Sequence, residues 1–148
     1  MARKTIETPV WPAQNRTALL VSPLTEDHTS LEDLFREQNW RLESALTLRL
    51  AMLLLKAGPP PVVIVADDLW MGDWKELVTA ARGLPDPPLI IVASENPDEA
   101  LRLAVERAGG QDVISKPFTR TELCSVLPEA WRTRQDGQIS SVAGEVSA

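Results

Sequence analysis

Three kinds of side chain in this sequence stand where they could handle an anion. Asp67 and Asp68 follow the apolar run Pro61-Val62-Val63-Ile64-Val65-Ala66, Ser94 follows Leu89-Ile90-Ile91-Val92-Ala93, and Lys116 follows Asp112-Val113-Ile114-Ser115. A lysine and a hydroxyl beside one or two carboxylates can hold a phosphate or phosphoryl group, the ammonium giving charge and the hydroxyl a hydrogen bond. The plainer alternatives are a structural Asp–Lys pair, and an Asp68 that only turns the chain into the next element.

For these residues to meet, the runs before them must be neighbouring strands. Four β-branched residues in a row at 62–65 fit a strand buried on both faces of a parallel sheet, and 89–93 reads the same way. Thr17-Ala18-Leu19-Leu20-Val21 is a first strand stopped at Ser22-Pro23, Trp40 to Ala45 alternates like an edge strand, and 112–115 is a short last one. Between them lie amphipathic segments. The first contains Leu31, Leu34 and Phe35 and closes at Asn39. The second begins after Thr47 and is apolar nearly all round, so that it should be well covered. The third runs from Lys75 to about Gly83, and the fourth is capped by Asn96 and ended by Gly109-Gly110. The fifth starts with capping-box spacing at Thr119 to Glu122 and is interrupted by Pro128. Strands alternating with helices and short connections predict an α/β doubly wound, five-stranded parallel sheet of order 2-1-3-4-5, with helices on both faces. In that fold the strand carboxyl ends share one rim, which collects Ser22, Asp67, Asp68, Ala93, Ser94, Ser115 and Lys116. Trp70 and Trp74 flank the carboxylate loop, where packing is the default role.

At 148 residues, 44% hydrophobic and 24% charged, the chain has the size and composition of one globular domain. Residues 1–16 read as an N-terminal tail, 17–133 as the domain and 134–148 as a disordered C-terminal tail. A net charge of -6 argues against a nucleic-acid partner. No stretch reaches the roughly 18 apolar residues of a membrane span, and no apolar signal core opens the chain, so a cytoplasmic protein is expected. The single cysteine, Cys124, rules out an internal disulfide and is expected to be a buried, inert thiol.

A resemblance becomes visible once these pieces are lined up. Strand three ending in Asp67, strand four ending in Ala93-Ser94, and Gly109-Gly110-Gln111-Asp112-Val113-Ile114-Ser115-Lys116-Pro117-Phe118 resemble the receiver domain of bacterial two-component response regulators, over roughly 17–132. The resemblance implies a flavodoxin-like fold and a role in phosphorelay signal transduction. It makes Asp67 the candidate phospho-acceptor and Lys116 and Ser94 the phosphate-contacting candidates, with a cis bond between Lys116 and Pro117 aiming the lysine at Asp67. It also implies protein partners such as a histidine kinase or an output protein, and a homodimer through the fourth and fifth helices.

The departures bear on mechanism. The acidic pair that holds magnesium in that family is replaced by Ser22 and Pro23, neither of which is a carboxylate ligand. Asp67 remains, with Glu26 or Asp27 as weak substitutes, so magnesium binding is expected to be weak or absent. The family's hydroxyl aligns without gaps to Ala93, so that Ser94 serves only after a one-residue slip, and its aromatic switch position is Val113. The expectation is a stand-alone, non-enzymatic pseudo-receiver working through protein contacts. A competent receiver using Asp67 is the second reading. A small enzyme on the same fold is the third, for which His28 is the only histidine base, itself expected to be solvated on the first helix.

Overall fold

The computed structural model describes residues 16–147, with side chains described through Thr133. Five parallel strands, β1 (Thr17–Val21), β2 (Arg41–Ala45), β3 (Val62–Ala66), β4 (Leu89–Ser94) and β5 (Asp112–Ser115), form one sheet in the order β2-β1-β3-β4-β5. The helices are α1 (Thr25–Glu37), α2 (Leu48–Ala57), α3 (Trp74–Arg82), α4 (Glu99–Ala108) and α5 (Arg120–Ser147). Most of the expected N-terminal tail, residues 1–15, lies outside the described residues.

Alternation along the central strands fills two cores. Leu19, Val21, Val63, Val65, Val92 and Val113 point to the side covered by α2, α3 and α4. Ala18, Leu20, Val62, Ile64, Ile91 and Ile114 point to the side covered by α1 and α5. Burial on both faces is why β3 and β4 read as unbroken apolar runs, whereas β2, paired only with β1, keeps exposed residues.

Several ends differ from the sequence expectation. Asp98, not Asn96, caps α4, accepting from Leu101 N at 2.9 Å, while Asn96 N donates to Ser94 Oγ. The full capping box lies at α3, where Asp73 and Glu76 answer each other's backbone N–H groups. At α5, Thr119 accepts from Glu122 N, but the Glu122 carboxylate accepts from Ser115 N and Oγ instead of returning to the cap. Pro128 does not end α5, which extends to Ser147, past the point near Arg134 where composition predicts a disordered tail. Asn39 at φ 59° and Gly109 at φ 101° end α1 and α4 as expected.

Two surface expectations are corrected. Cys124 is exposed, because it sits on the outer side of α5 between Leu123 and Leu127, which face the core. The second helix is not well covered: Ala51 and Leu55 are buried, but Leu50 and Leu53 lie open on its outer face. One helix packed on a sheet can bury only the side that faces it.

Candidate functional site

The register brings the predicted rim together. Val21 lies level with Ala45 and Val65, Ala66 with Ala93, and Ser94 with Ser115. Asp67, one residue past β3, donates its backbone N–H to Ala93 O at 3.0 Å. Lys116, one residue past β5, donates its own to Ser94 O at 2.8 Å. The Lys116–Pro117 peptide is cis, as the motif implies.

The Lys116 side chain, only 3% exposed, runs inward along the rim and ends between two carboxylates. Its Nζ donates to Asp27 Oδ2 at 2.8 Å and to both oxygens of Asp68, at 3.1 and 3.0 Å. Burial alone would push its pKa down. The hydrogen bonds and charges of Asp27 and Asp68 outweigh that burial and hold the ammonium above the ordinary lysine value. Asp27 comes from the first turn of α1 and is largely buried. Its Oδ2 also accepts from Ser22 Oγ at 2.6 Å, and Ser22 Oγ in turn accepts from Leu24 N. Ser22 is fully buried, so the hydroxyl where the resemblance implies a carboxylate ties the β1 end to α1.

The remaining candidates are placed as follows. Asp67 and Asp68 are both exposed, and no hydrogen bond or ion pair joins Asp67 to Lys116. The ion pair expected at Asp67 forms one residue later, at Asp68, because the chain leaves β3 after Ala66 and the next side chain but one turns toward the lysine. Ser94 is buried with its hydroxyl taken up by Asn96 N, and the Ser115 hydroxyl donates to Glu122 Oε1 at 2.8 Å. Pro23 borders a surface groove beside Trp70, and Glu26 is exposed on α1. Val113 is buried in the core. His28 is not a solvated residue: half-buried, its Nε2 lies 2.9 Å from Ser22 O, a contact that places the ring proton on Nε2.

Sequence reasoning missed the part played by Asp27, which entered only as a substitute metal ligand. The usable signal was its place in the first helical turn after a strand, where the helix dipole favours a carboxylate and the rim lies within reach. Among the described residues, no group of three His, Cys, Asp or Glu side chains is disposed to hold a metal ion.

No family model matches the sequence, and no curated protein is similar to it in sequence. Solved structures are similar to it in fold. The signal receiver domain of a protein described as a Luxo repressor, from Vibrio parahaemolyticus, superposes with a TM-score of 0.77 at 15% identity, over 84% of this chain and 95% of that one. The signal receiver domain of an HD domain-containing protein from Pseudomonas fluorescens gives 0.72 at 24% identity, over 81% and 97%. The beryllofluoride-activated NtrC4 receiver domain, solved as a dimer in solution, gives 0.73 at 20% identity, over 80% and 98%.

The chain has the receiver fold.

Within this fold the rim just described lies at the carboxyl ends of the strands. Here the lysine of that rim is held by a carboxylate from α1 and by the second of the two loop aspartates. Among the described residues, no helix is long and apolar enough to cross a membrane.

Proposed function

We propose that this chain is a receiver-like signalling module of the pseudo-receiver kind, acting by contact with signalling proteins whatever its phosphorylation state. The observation that carries the reading is the Lys116 ammonium held by Asp27 and Asp68. In a receiver that accepts a phosphoryl group, the lysine must turn to the incoming oxygens, and a divalent cation must offset their charge. Here Lys116 already has two anionic partners, Ser22 spends its hydroxyl on Asp27, and Asp67 has no ion pair among the described residues. With three carboxylates, Asp27, Asp67 and Asp68, on one rim with a single lysine, a phosphoryl group would meet more acidic than basic side chains.

Magnesium does not fit this donor set. It needs near-octahedral oxygen ligands and gives up its water reluctantly, and no pair of unengaged carboxylates is offered to it. Partners of the type that receivers serve, a histidine kinase or an output protein, follow from this reading. The face of α4, β5 and α5 is one surface for them or for a second copy, and it presents Arg102, Glu106, Arg107 and Arg132. Arg120 is engaged in a two-pronged bond to Glu37, at 2.6 and 2.9 Å. The chemistry proposed is not enzymatic, and a cytoplasmic setting suits it.

The test is calorimetric titration of the full chain with magnesium chloride at neutral pH. No saturable binding through the millimolar range is expected, and clear saturation in that range would contradict the reading. The second reading, a competent receiver, keeps Asp67 as acceptor; what favours it is that this carboxylate is exposed and outside the Lys116 cluster.

A further inference from the structure

We infer that the outer face of α2, with the Trp70–Met71 loop beside it, is a docking surface for an acidic amphipathic helix of a partner protein. Leu50 and Leu53 of α2, and Leu46 just before its N-cap, are all exposed, Leu53 to 58%. Trp70 and Met71 are exposed to 79% and 84%. Scattered exposed apolar residues are ordinary, but Leu46, Trp70 and Met71 border one groove, and Leu50 and Leu53 follow on the helix that forms its wall, a grouping of the kind that marks an interaction site. A groove of about 430 Å³ opens between Pro23, Leu46, Leu48, Leu69, Trp70 and Met71.

The loop that presents Trp70 is anchored. Gly72, at φ 95°, passes so close to α2 that a Cβ there would collide with Leu48 Cδ2, and the capping box at Asp73 and Glu76 fixes the far end. Trp74 is buried beneath, while Trp70 is held outward. Sequence alone treats the two tryptophans alike; the structure separates them.

Charge selects the occupant. The charged residues of α2 are Arg49 and Lys56, both exposed, and the helix has no carboxylate although the chain carries -6 overall. On the adjoining loop Asp68 is paired with Lys116, and Asp73, like Glu76 of α3, sits at the amino end of α3, where the helix dipole offsets part of its charge, which leaves Asp67 as the loop carboxylate with no such partner among the described residues. A helix with an apolar stripe and flanking Asp or Glu side chains would lay the stripe along Leu50 and Leu53, seat one side chain in the groove, and meet Arg49 and Lys56 with its charges. A second copy is disfavoured, because symmetric pairing sets Arg49 and Lys56 against themselves and joins two chains of charge -6. Residues 1–15 of the same chain are net basic in side-chain charge, with Arg3 and Lys4 against Glu7, and so do not complement Arg49 and Lys56. An anionic bilayer is opposed by the net charge and offers nothing to fill a concave groove.

This inference rests on the partner-binding reading; its test is made on the untreated chain, with one acetyl phosphate arm to separate its failure from that of the reading. The probes are two fluorescent synthetic amphipathic peptides of about five helical turns, with leucines at i, i+3, i+4 and i+7 and either Glu or Lys elsewhere, and phosphatidylcholine–phosphatidylglycerol vesicles. Fluorescence anisotropy with the full chain is expected to show saturable binding of the Glu peptide, at least tenfold tighter than the Lys peptide. The exposed-site substitutions Leu53→Ser and Trp70→Ala should each weaken it about tenfold, and Arg49→Glu with Lys56→Glu should invert the preference. Equal affinity for both peptides, no saturable binding, preference for vesicles, or a dimer dispersed by Leu53→Ser would each overturn the proposal. Binding of the Glu peptide only after acetyl phosphate treatment would keep the surface and overturn the phosphorylation-independent reading instead.

Discussion

Lys116 and Asp27, 89 positions apart in sequence, meet at 2.8 Å beneath the rim of the sheet. Asp27 reaches the lysine because Ser22 turns the end of β1 into α1 and bonds the same carboxylate oxygen. A position expected to hold a metal ligand thus joins strand β1, helix α1 and strand β5 in one polar cluster.

Replacing Lys116 by Met is expected to cost about 1–2 kcal/mol, less than the roughly 3–5 kcal/mol lost when a fully buried pair is broken, because Asp68 can be hydrated and Asp27 keeps its hydrogen bond from Ser22. Urea denaturation of the two proteins at pH 7 measures it. A double-mutant cycle with Asp27→Asn should show positive coupling, while additivity would mean that the contact carries no energy.

The pH dependence follows from the direction of the lysine shift. Because the folded-state pKa of Lys116 lies above its unfolded value, its contribution to stability is complete below the ordinary lysine range, about pH 10, and is lost as pH rises through the folded value. Wild type should therefore lose its advantage over Lys116→Met above about pH 10, read from melting curves. Glu37 behaves in the opposite sense. Its hydrogen bond from Arg120 lowers its pKa, so that this contribution is present at neutral pH and fades as pH falls through the lowered value. Both groups are exposed, so the effect should be small and weaken with salt.

Restoring Asp at positions 22 and 23 together should separate fold from chemistry. Ser22 is fully buried beside Asp27, so a carboxylate there is expected to destabilise the chain without a divalent cation. Millimolar magnesium should then raise the melting temperature of the double variant and leave wild type unchanged, as ligand linkage requires. A wild-type melting temperature that rises equally would contradict the account.

Much of the fold was legible because it rests on period and punctuation. The unbroken apolar runs at 62–65 and 89–93 could only be central strands, and Gly109 and Asn39 ended their helices for the backbone reason expected of them. The rim was legible as a place, since strand ends in this topology converge. Which side chain turns inward was not: a single residue decides whether Asp67 or Asp68 faces Lys116, and sequence pattern has no such resolution. The exposed face of α2 was misread for a related reason. A helix apolar all round looks like a buried one, and only the packing shows that Leu50 and Leu53 have nothing above them among the described residues.

The central claim is most directly tested by incubating the full chain with acetyl phosphate and magnesium and reading its intact mass. Little or no phosphorylated protein is predicted, for wild type, Asp67→Asn and Asp68→Asn alike. Robust magnesium-dependent addition of one phosphoryl group to wild type, abolished by Asp67→Asn or by Asp68→Asn, would contradict it and make the chain a competent receiver.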